Sequence, residues 1–385
     1  MRAVLLTLFL DVLAYSMIAP LLPFYVRDLA GDGAATAWLS GMLGAGYAVM
    51  QLISGPILGT LSDRRGRRPI LLACQAGTII SFALLANATT IEMLFAAVLI
   101  DGLTGGNLTT AYAYIADIST SANRARNLAL ASAALGLSVT AGPALGSLLA
   151  ASGAPVTVAA CLAAAASFIS AAVFLPESRP PAQPTPRMAG TPRMAGTPRY
   201  NPATIRLLAA IFATNLSFAG LQANFGIFSA DRFSWTPSET SGFFAFIGCC
   251  AVLAQGLLLP AAQRRFGDRA LITGGLPLLA LGLAGIALAR DARWLFPAAA
   301  AAALGSGFAL PTLSATAAQA AAEQRGLLMG ATQSLLAIAN ITAPLMTGAA
   351  YTFVAPGAPY FAGCACALLA SVAAHRAFVI LRIQR

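Results

Sequence analysis

The sequence predicts an all-α membrane protein that crosses the bilayer twelve times, in two pseudo-symmetric bundles of six helices. Three observations predict it. The first is composition: the 385 residues are 58% hydrophobic and only 9% charged, against about 25% charged residues in soluble domains. So little polar surface cannot cover a soluble exterior of this size. The second is the spacing of apolar runs, each near the ~20 residues that a membrane helix needs. They cover 4–26, 38–61, 69–88, 92–116, 127–151, 155–175, 204–229, 240–262, 270–289, 294–319, 327–352 and 358–381. The third is the placement of arginine. With the N-terminus inside, nineteen arginines fall in inner segments, and only Arg27, Arg232, Arg290 and Arg293 fall outside. By the positive-inside rule both termini then face the cytoplasm of a cell inner or plasma membrane.

The same numbers exclude other classes. A net charge of +10 suggests nucleic acid, but all 23 basic residues are Arg and lie in short gaps between apolar runs. That is a topology signal, and no nucleic-acid partner is expected. The six cysteines lie within or beside apolar runs, where they read as small buried hydrophobes. His375 is the only histidine, which leaves no ligand set for a metal and no catalytic triad. No cofactor and no enzymatic activity are expected.

Along the chain, residues 1–20 look superficially like a leader, with an Arg followed by an apolar run. Asp11 interrupts that run, apolar residues continue to Val26, and no clean small-x-small site follows. The stretch reads as the first membrane helix. Residues 176–203 form the longest polar gap and contain Thr-Pro-Arg-Met-Ala-Gly twice, at 185–190 and 191–196. A Pro-rich segment without apolar periodicity has no core to fold around. It reads as a flexible cytoplasmic linker between an N-terminal bundle, 1–175, and a C-terminal bundle, 204–385. The halves echo each other. Gln51, Pro56 and Arg65-Gly66 have a partial counterpart in Gln255, Pro260 and Arg265-Phe266-Gly267, each ending a second helix and opening a third. Such a trace is expected of an internal repeat in a transporter.

The densest charge cluster lies between the second and third helices, from Gly59 through Ser62, Asp63, Arg64, Arg65, Gly66, Arg67 and Arg68. Gly-x-Leu-x-Asp-Arg-x-Gly-Arg-Arg at this place resembles the signature loop of the major facilitator superfamily. Other stretches are similar to its twelve-helix drug:proton antiporters, and in particular to tetracycline-efflux carriers. They are Asp11 with Ile18-Ala19-Pro20-Leu21-Leu22-Pro23, Tyr114-Ile115-Ala116-Asp117, Ala141-Gly142-Pro143-Ala144-Leu145-Gly146, and Asp231-Arg232-Phe233-x-Trp235. Ser147 stands where the fifth-helix motif closes on a second Gly.

Physical reasons accompany the motifs. Gly59 would let helices approach and Gly66 would permit a tight turn. Asp63 is suited to a neighbouring helix N-terminus, which the resemblance identifies as the eleventh helix near Leu327. Arg67 could pair with Asp117. Together with Arg64 and Arg68 these residues form a candidate conformational latch. Gly136, Gly142, Pro143 and Gly146 give the fifth helix a small-residue face and a proline kink. The resemblance implies a hinge, or a seal against proton leak, at that face.

Two acids lie inside apolar runs, Asp11 and Asp101. A charge there costs ~2.5–3.5 kcal/mol on insertion scales, so such acids usually face a cavity and carry function. They are the proton-coupling candidates. Family members usually carry an Arg in the fourth helix; the aligned position here is Val98, and Asp101 follows one turn later. The candidate substrate cavity draws on Tyr15, Asn107, Tyr112, Asn215, Gln222, Asn224, Gln333 and Asn340. With so few charges it suits a lipophilic or amphipathic solute. The expected protein is thus a monomeric secondary transporter exporting a small molecule against protons by alternating access. Uptake or organellar transport of a sugar-like or other metabolite is the alternative, and a non-transporting membrane sensor a more distant one.

Overall fold

The computed structural model describes residues 1–31, 34–178, 200–320 and 325–383. Most of the 176–203 linker therefore lies outside the described residues, as does the chain just before the eleventh membrane helix. Among the described residues the regular structure is helical.

The first crossing is α1 (Arg2–Ile18), continued through a 3₁₀ turn at Ala19–Leu21 into α2 (Leu22–Ala30). Pro20 and Pro23 each lack a backbone N–H, which explains the changed winding at this point. Then come α3 (Ala34–Arg65) and α4 (Arg67–Ala86). The fourth crossing is broken into α5 (Ile91–Thr104) and α6 (Asn107–Asp117) at Gly105-Gly106, a pair that weakens helix continuity. Next are α7 (Arg124–Ala151), α8 (Val156–Phe174) and α9 (Pro202–Ala223). The stretch read from sequence as the end of the seventh helix and its following loop is a separate helix, α10 (Phe225–Phe233). It is closed by Ser234 in the left-handed region at φ 54°. The remaining elements are α11 (Pro237–Val252), a π-turn at Leu253–Leu258, α12 (Leu259–Leu288), α13 (Leu295–Ala320), α14 (Arg325–Phe353) and α15 (Ala358–Ile383).

Eleven helical stretches among the described residues are long and apolar enough to cross a membrane. One of them, Pro237–Leu288, has 52 residues. At 1.5 Å per residue this is about twice the length one crossing needs. Gly267 divides it, with φ 75° and ψ 164° in the middle of α12. Counting both parts gives the twelve crossings expected. Gly66, between α3 and α4, has φ 99° and ψ 157°. The two glycines that echo each other in sequence thus share one rare backbone conformation, open to Gly and strained for other residues.

The chain forms two compact units. One comprises Met1–Ala30, Gly46–Thr197 and Pro237–Ala245; the other comprises Gly31–Ala45, Pro198–Thr236 and Phe246–Arg385. In the first, α1 packs on α7 and α8, and α4 on α5 and α8. Its core includes Leu8, Leu71, Tyr114, Ile115 and Ala171. In the second, α12 packs on α13 and α15, and α9 on α14 and α15. Its core includes Leu207, Ile211, Ile272, Leu276, Leu313 and Ala374. Of the cysteines only Cys74 is buried and Cys249 is exposed, so the expectation that all six are buried does not hold.

A close backbone approach joins α12 to α13. A Cβ at Gly305 would sit 2.6 Å from the Gly275 carbonyl oxygen, and one at Gly275 would sit 2.9 Å from that of Gly305. Van der Waals packing of small residues is the main force between helices in lipid. Gly305→Val should cost about 1–3 kcal/mol by overpacking, read as a lower apparent Tm of the purified protein in detergent. Gly59→Ala should leave that Tm unchanged or raise it, because a Cβ at Gly59 meets no atom within 4 Å. Equal shifts for the two variants would refute this packing assignment.

Candidate functional site

Two clusters in the first unit hold most of the residues singled out from the sequence. The first is built at the end of α3, where Gly66 turns the chain into α4. The Arg67 guanidinium folds back over this turn. Its Nη2 pairs with Asp63 Oδ1 at 2.7 Å, Nη1 donates to Ser62 Oγ at 2.7 Å, and Nε donates to Asp117 Oδ2 at 3.0 Å. The Arg67 side chain is 9% exposed, that of Asp117 30% and that of Asp63 52%. The strong element is therefore the buried guanidinium and its neighbours at the ends of α3 and α6. The Asp63 carboxylate, mostly in solvent, adds at most ~1 kcal/mol of local stability.

A residue unremarked in the sequence completes this cluster. Glu177, just past α8, accepts from the backbone N–H of Arg67 at 2.8 Å (Oε1) and of Arg68 at 3.1 Å (Oε2). A carboxylate thus caps the N-terminus of α4, where free amides and the helix dipole favour a negative charge. A Cβ on Gly66 would lie 2.5 Å from Glu177 Oε2. Gly66 is needed for both its φ and this approach. Arg68 reaches across to donate from Nη2 to the Ala172 carbonyl of α8 at 2.7 Å. Arg64 is exposed at the end of α3. One signal could have revealed Glu177. It is the only acid in 176–203, and it stands where the sixth helix ends on the side of the arginine cluster.

The second cluster lies within the helices. Asp11 on α1 and Asp101 on α5 are both buried and lie within electrostatic range of each other. Asp11 Oδ2 accepts from Asn107 Nδ2, and Asp101 is hydrogen-bonded by Thr78. Asn107 is the first residue of α6, so the break at Gly105-Gly106 delivers it to Asp11 while leaving Asp101 at the end of α5. Val98 is buried one turn before Asp101. Asp11 Oδ1 and Gln75 Oε1 have no partner among the described residues. Both residues line a cavity of about 10 Å³, with Thr7 and Asn107, close to the space one water occupies. Gln75 Nε2 donates to Ser167 Oγ at 2.8 Å, which donates to the Thr7 carbonyl at 2.9 Å. Beside this network the rings of Tyr15 and Tyr47 stack at 5.2 Å.

The fifth-helix motif divides. Cβ atoms at Gly142 and Gly146 would press on α1, at 2.9 Å from Ser16 C and Met17 O respectively. Gly136 meets no atom within 4 Å, so it is not part of that packed face. A Cβ at Gly59 likewise meets no atom within 4 Å among the described residues, so no close helix approach is seen there. Pro143 sits inside a helix that runs without interruption from Arg124 to Ala151.

The proposed cavity residues also divide. Asn107 is committed to Asp11. Asn224 is 1% exposed and bonds within the second unit; with its amide oriented to satisfy its neighbours, Nδ2 donates to the Ala37 carbonyl at 3.2 Å and Oδ1 accepts from Gly348 N at 2.9 Å and Thr347 Oγ1 at 3.2 Å. It is a structural tie between α9, α14 and the start of α3, and not a cavity residue. Tyr112 and Asn215 are half-buried; Gln222, Gln333 and Asn340 are exposed. The Tyr112 hydroxyl lies 3.3 Å from Ser132 Oγ. In the second unit Tyr351 Oη donates to Asp231 Oδ2 at 2.6 Å, which anchors α10 to α14.

Comparison with known proteins fits this architecture. Residues 4–344 match the model of the Major Facilitator Superfamily. The chain is 33% identical to the class C tetracycline resistance protein of Escherichia coli, over 90% of this chain and 88% of that one. It is 30% identical to the class G tetracycline resistance protein of Vibrio anguillarum, over 91% and 90%. Human major facilitator superfamily domain-containing protein 10 is 26% identical over 90% of this chain and 86% of its own. The crystal structure of that human protein, titled an organic anion transporter, superimposes with a TM-score of 0.68 at 24% identity, covering 97% of this chain and 98% of that one. A bacterial homologue of the human lysosomal transporter Spinster superimposes with a TM-score of 0.71 at 15% identity, covering 99% and 96%. Signature loop, twelve crossings and full-length relatives agree: the chain is an integral multi-pass membrane protein and belongs to the major facilitator superfamily of transporters.

Proposed function

We propose that this transporter exports a small lipophilic or amphipathic compound in exchange for protons, with both termini in the cytoplasm. The acid pair carries the coupling half of this reading. Asp11 and Asp101 are buried together, each with a neutral donor, Asn107 and Thr78. The family's fourth-helix Arg is replaced by Val98, so this pair does not depend on a cation at that position. In this reading one of the two carboxyls carries the coupling proton. Loading and release of that proton, as water reaches Asp11 through the small cavity beside it, is the coupling step. The relatives named for tetracycline resistance supply the efflux half, and the scarcity of charge supplies the solute class.

Alternating access follows from the repeat, with an N-terminal bundle to residue 175, a linker over 176–203 and a C-terminal bundle from 204. In this reading the Arg67 cluster is the rigid base of a cytoplasmic latch, and Asp63, the more exposed of its two acids, is the release element. A second reading, transport of an organic anion, draws on the human relative, which is described as an organic anion transporter. A carboxylate or sulfonate would then replace the uncharged solute.

Three measurements test these roles. In proteoliposomes with an imposed pH gradient, Asp101→Asn and Asp11→Asn should each eliminate gradient-driven transport of a lipophilic substrate while leaving its binding intact. Retained gradient dependence in both variants would overturn the acid-pair assignment. Asp63→Asn should lower turnover with an unchanged Tm, since its exposed pair contributes at most ~1 kcal/mol. Full turnover in this variant would remove Asp63 from the latch. Arg67→Met should lower stability by about 3 kcal/mol or more, because it strips the guanidinium from Asp117 and Ser62 in a buried setting. A Tm equal to that of Asp63→Asn would contradict the division of labour between the two residues.

A further inference from the structure

The second unit carries a cationic groove that the transport reading does not use. A cavity of about 360 Å³ opens between α12 and α15, lined by Thr273 on the former and by Ser371, Val372, His375 and Arg376 on the latter. One turn before Thr273, the Arg269 guanidinium lies 5.8 Å over the Phe378 ring, on the same pair of helices. The groove is open to the side: Val372, His375 and Arg376 are all exposed. In a chain that spans a bilayer, that exposure is toward lipid.

Its charge balance is one-sided. Residues 358–383 contain no acid, and the acid nearest in α12, Asp268, accepts from Gln263 Nε2 at 3.3 Å. Arg376 and His375 have no hydrogen-bond or ion-pair partner among the described residues. Arg376 lies seven residues before the end of α15 at Ile383, about 10 Å along the axis. An unpaired cation at this depth is costly unless it meets an anion or reaches the interface. The groove supplies donors of the kind a phosphate accepts: the Arg376 guanidinium, an imidazole N–H of His375 and the Ser371 hydroxyl, while the Thr273 hydroxyl donates to the Arg269 carbonyl at 2.9 Å. Basic pockets between membrane helices hold anionic head groups for this reason. A choline or amine would need a carboxylate, and the cavity lining has none.

We infer that the groove between α12 and α15 binds a phosphate group, supplied by the head group of an anionic phospholipid that enters sideways from the bilayer. Arg376 is the main contact, with His375 and Ser371 beside it. The chemistry would also accept free phosphate. Lateral exposure and the apolar Val372 beside the donors favour the lipid.

The test is native mass spectrometry of the full chain in detergent, titrated with dioleoylphosphatidylglycerol, with dioleoylphosphatidylcholine and separately with orthophosphate. The wild type should retain phosphatidylglycerol in preference to phosphatidylcholine. Arg376→Gln should weaken phosphatidylglycerol retention roughly fivefold, the effect of one basic residue at a membrane surface. Arg290→Gln, past the far end of α12, should not. Val372→Trp fills the groove without changing charge and should weaken retention as well, so a misfolded Arg376→Gln does not end the test. Equal retention in wild type, Arg376→Gln and Val372→Trp would overturn the site, as would no preference between the two lipids. Orthophosphate that displaces phosphatidylglycerol at equal concentration would overturn the lipid as its source.

Discussion

Burial of the Arg67 guanidinium is the constraint around which the first unit is arranged. Taking such an ion out of water costs several kcal/mol unless its hydrogen bonds are replaced. Here Asp63, Ser62 and Asp117 replace them, and Glu177 takes the backbone amide of the same residue. These partners come from the ends of α3, α6 and α8. One residue, through its side chain and its backbone amide, thereby ties together the ends of three crossings. Gly66 is the geometric condition, since any other residue would strain the turn and collide with the Glu177 carboxylate. The signature loop is better understood as a junction than as a connection.

Most of the fold was legible because lipid imposes simple rules. Length of apolar run, arginine position and a Pro-rich gap are each one-dimensional signals, and they gave the crossings to within a few residues. The misses share a cause. Gly105-Gly106 lies inside an apolar run, and so does the turn at Asn224; hydropathy does not register a break that leaves polarity unchanged. The site was legible to the extent that it consists of charges where charge is expensive: Arg67, Asp117, Asp11 and Asp101. Partners were not legible. Nothing in the sequence says that Glu177 returns to a turn more than a hundred residues earlier, or that Asn224 is spent on Ala37 and Gly348. Glycine roles were the least readable. Gly59 and Gly136 face open space while Gly142, Gly146, Gly275 and Gly305 carry the close contacts, and only packing separates the two sets.

The repeat is closer in backbone than in chemistry. Gly66 and Gly267 adopt the same rare dihedral angles, yet only the first is capped by an acid. A Cβ on Gly267 would meet no atom within 4 Å. The π-turn at Leu253–Leu258 is a further departure on the second unit's side. The two units therefore share a chain path but not an electrostatic design. The first concentrates its buried charges at a junction and in its interior. The second carries exposed arginines, Arg264, Arg265, Arg269 and Arg376, on α12 and α15.

The bond between Asp11 and Asn107 has a consequence for how the chain is made. Its two residues are 96 positions apart. At synthesis rates of ~5–20 residues per second, the first helix exists for roughly 5–20 s before its partner has been polymerised. Throughout that interval the nascent helix carries a carboxyl group with no amide to receive it. Protonation, or a stay at the water-filled mouth of the insertion machinery, would bridge the delay. Arg67 waits about half as long for Asp117, 50 positions on, and slightly longer for Glu177, 110 positions on, so the first unit must ripen in the membrane from its earliest helix to its last before its polar interior is complete.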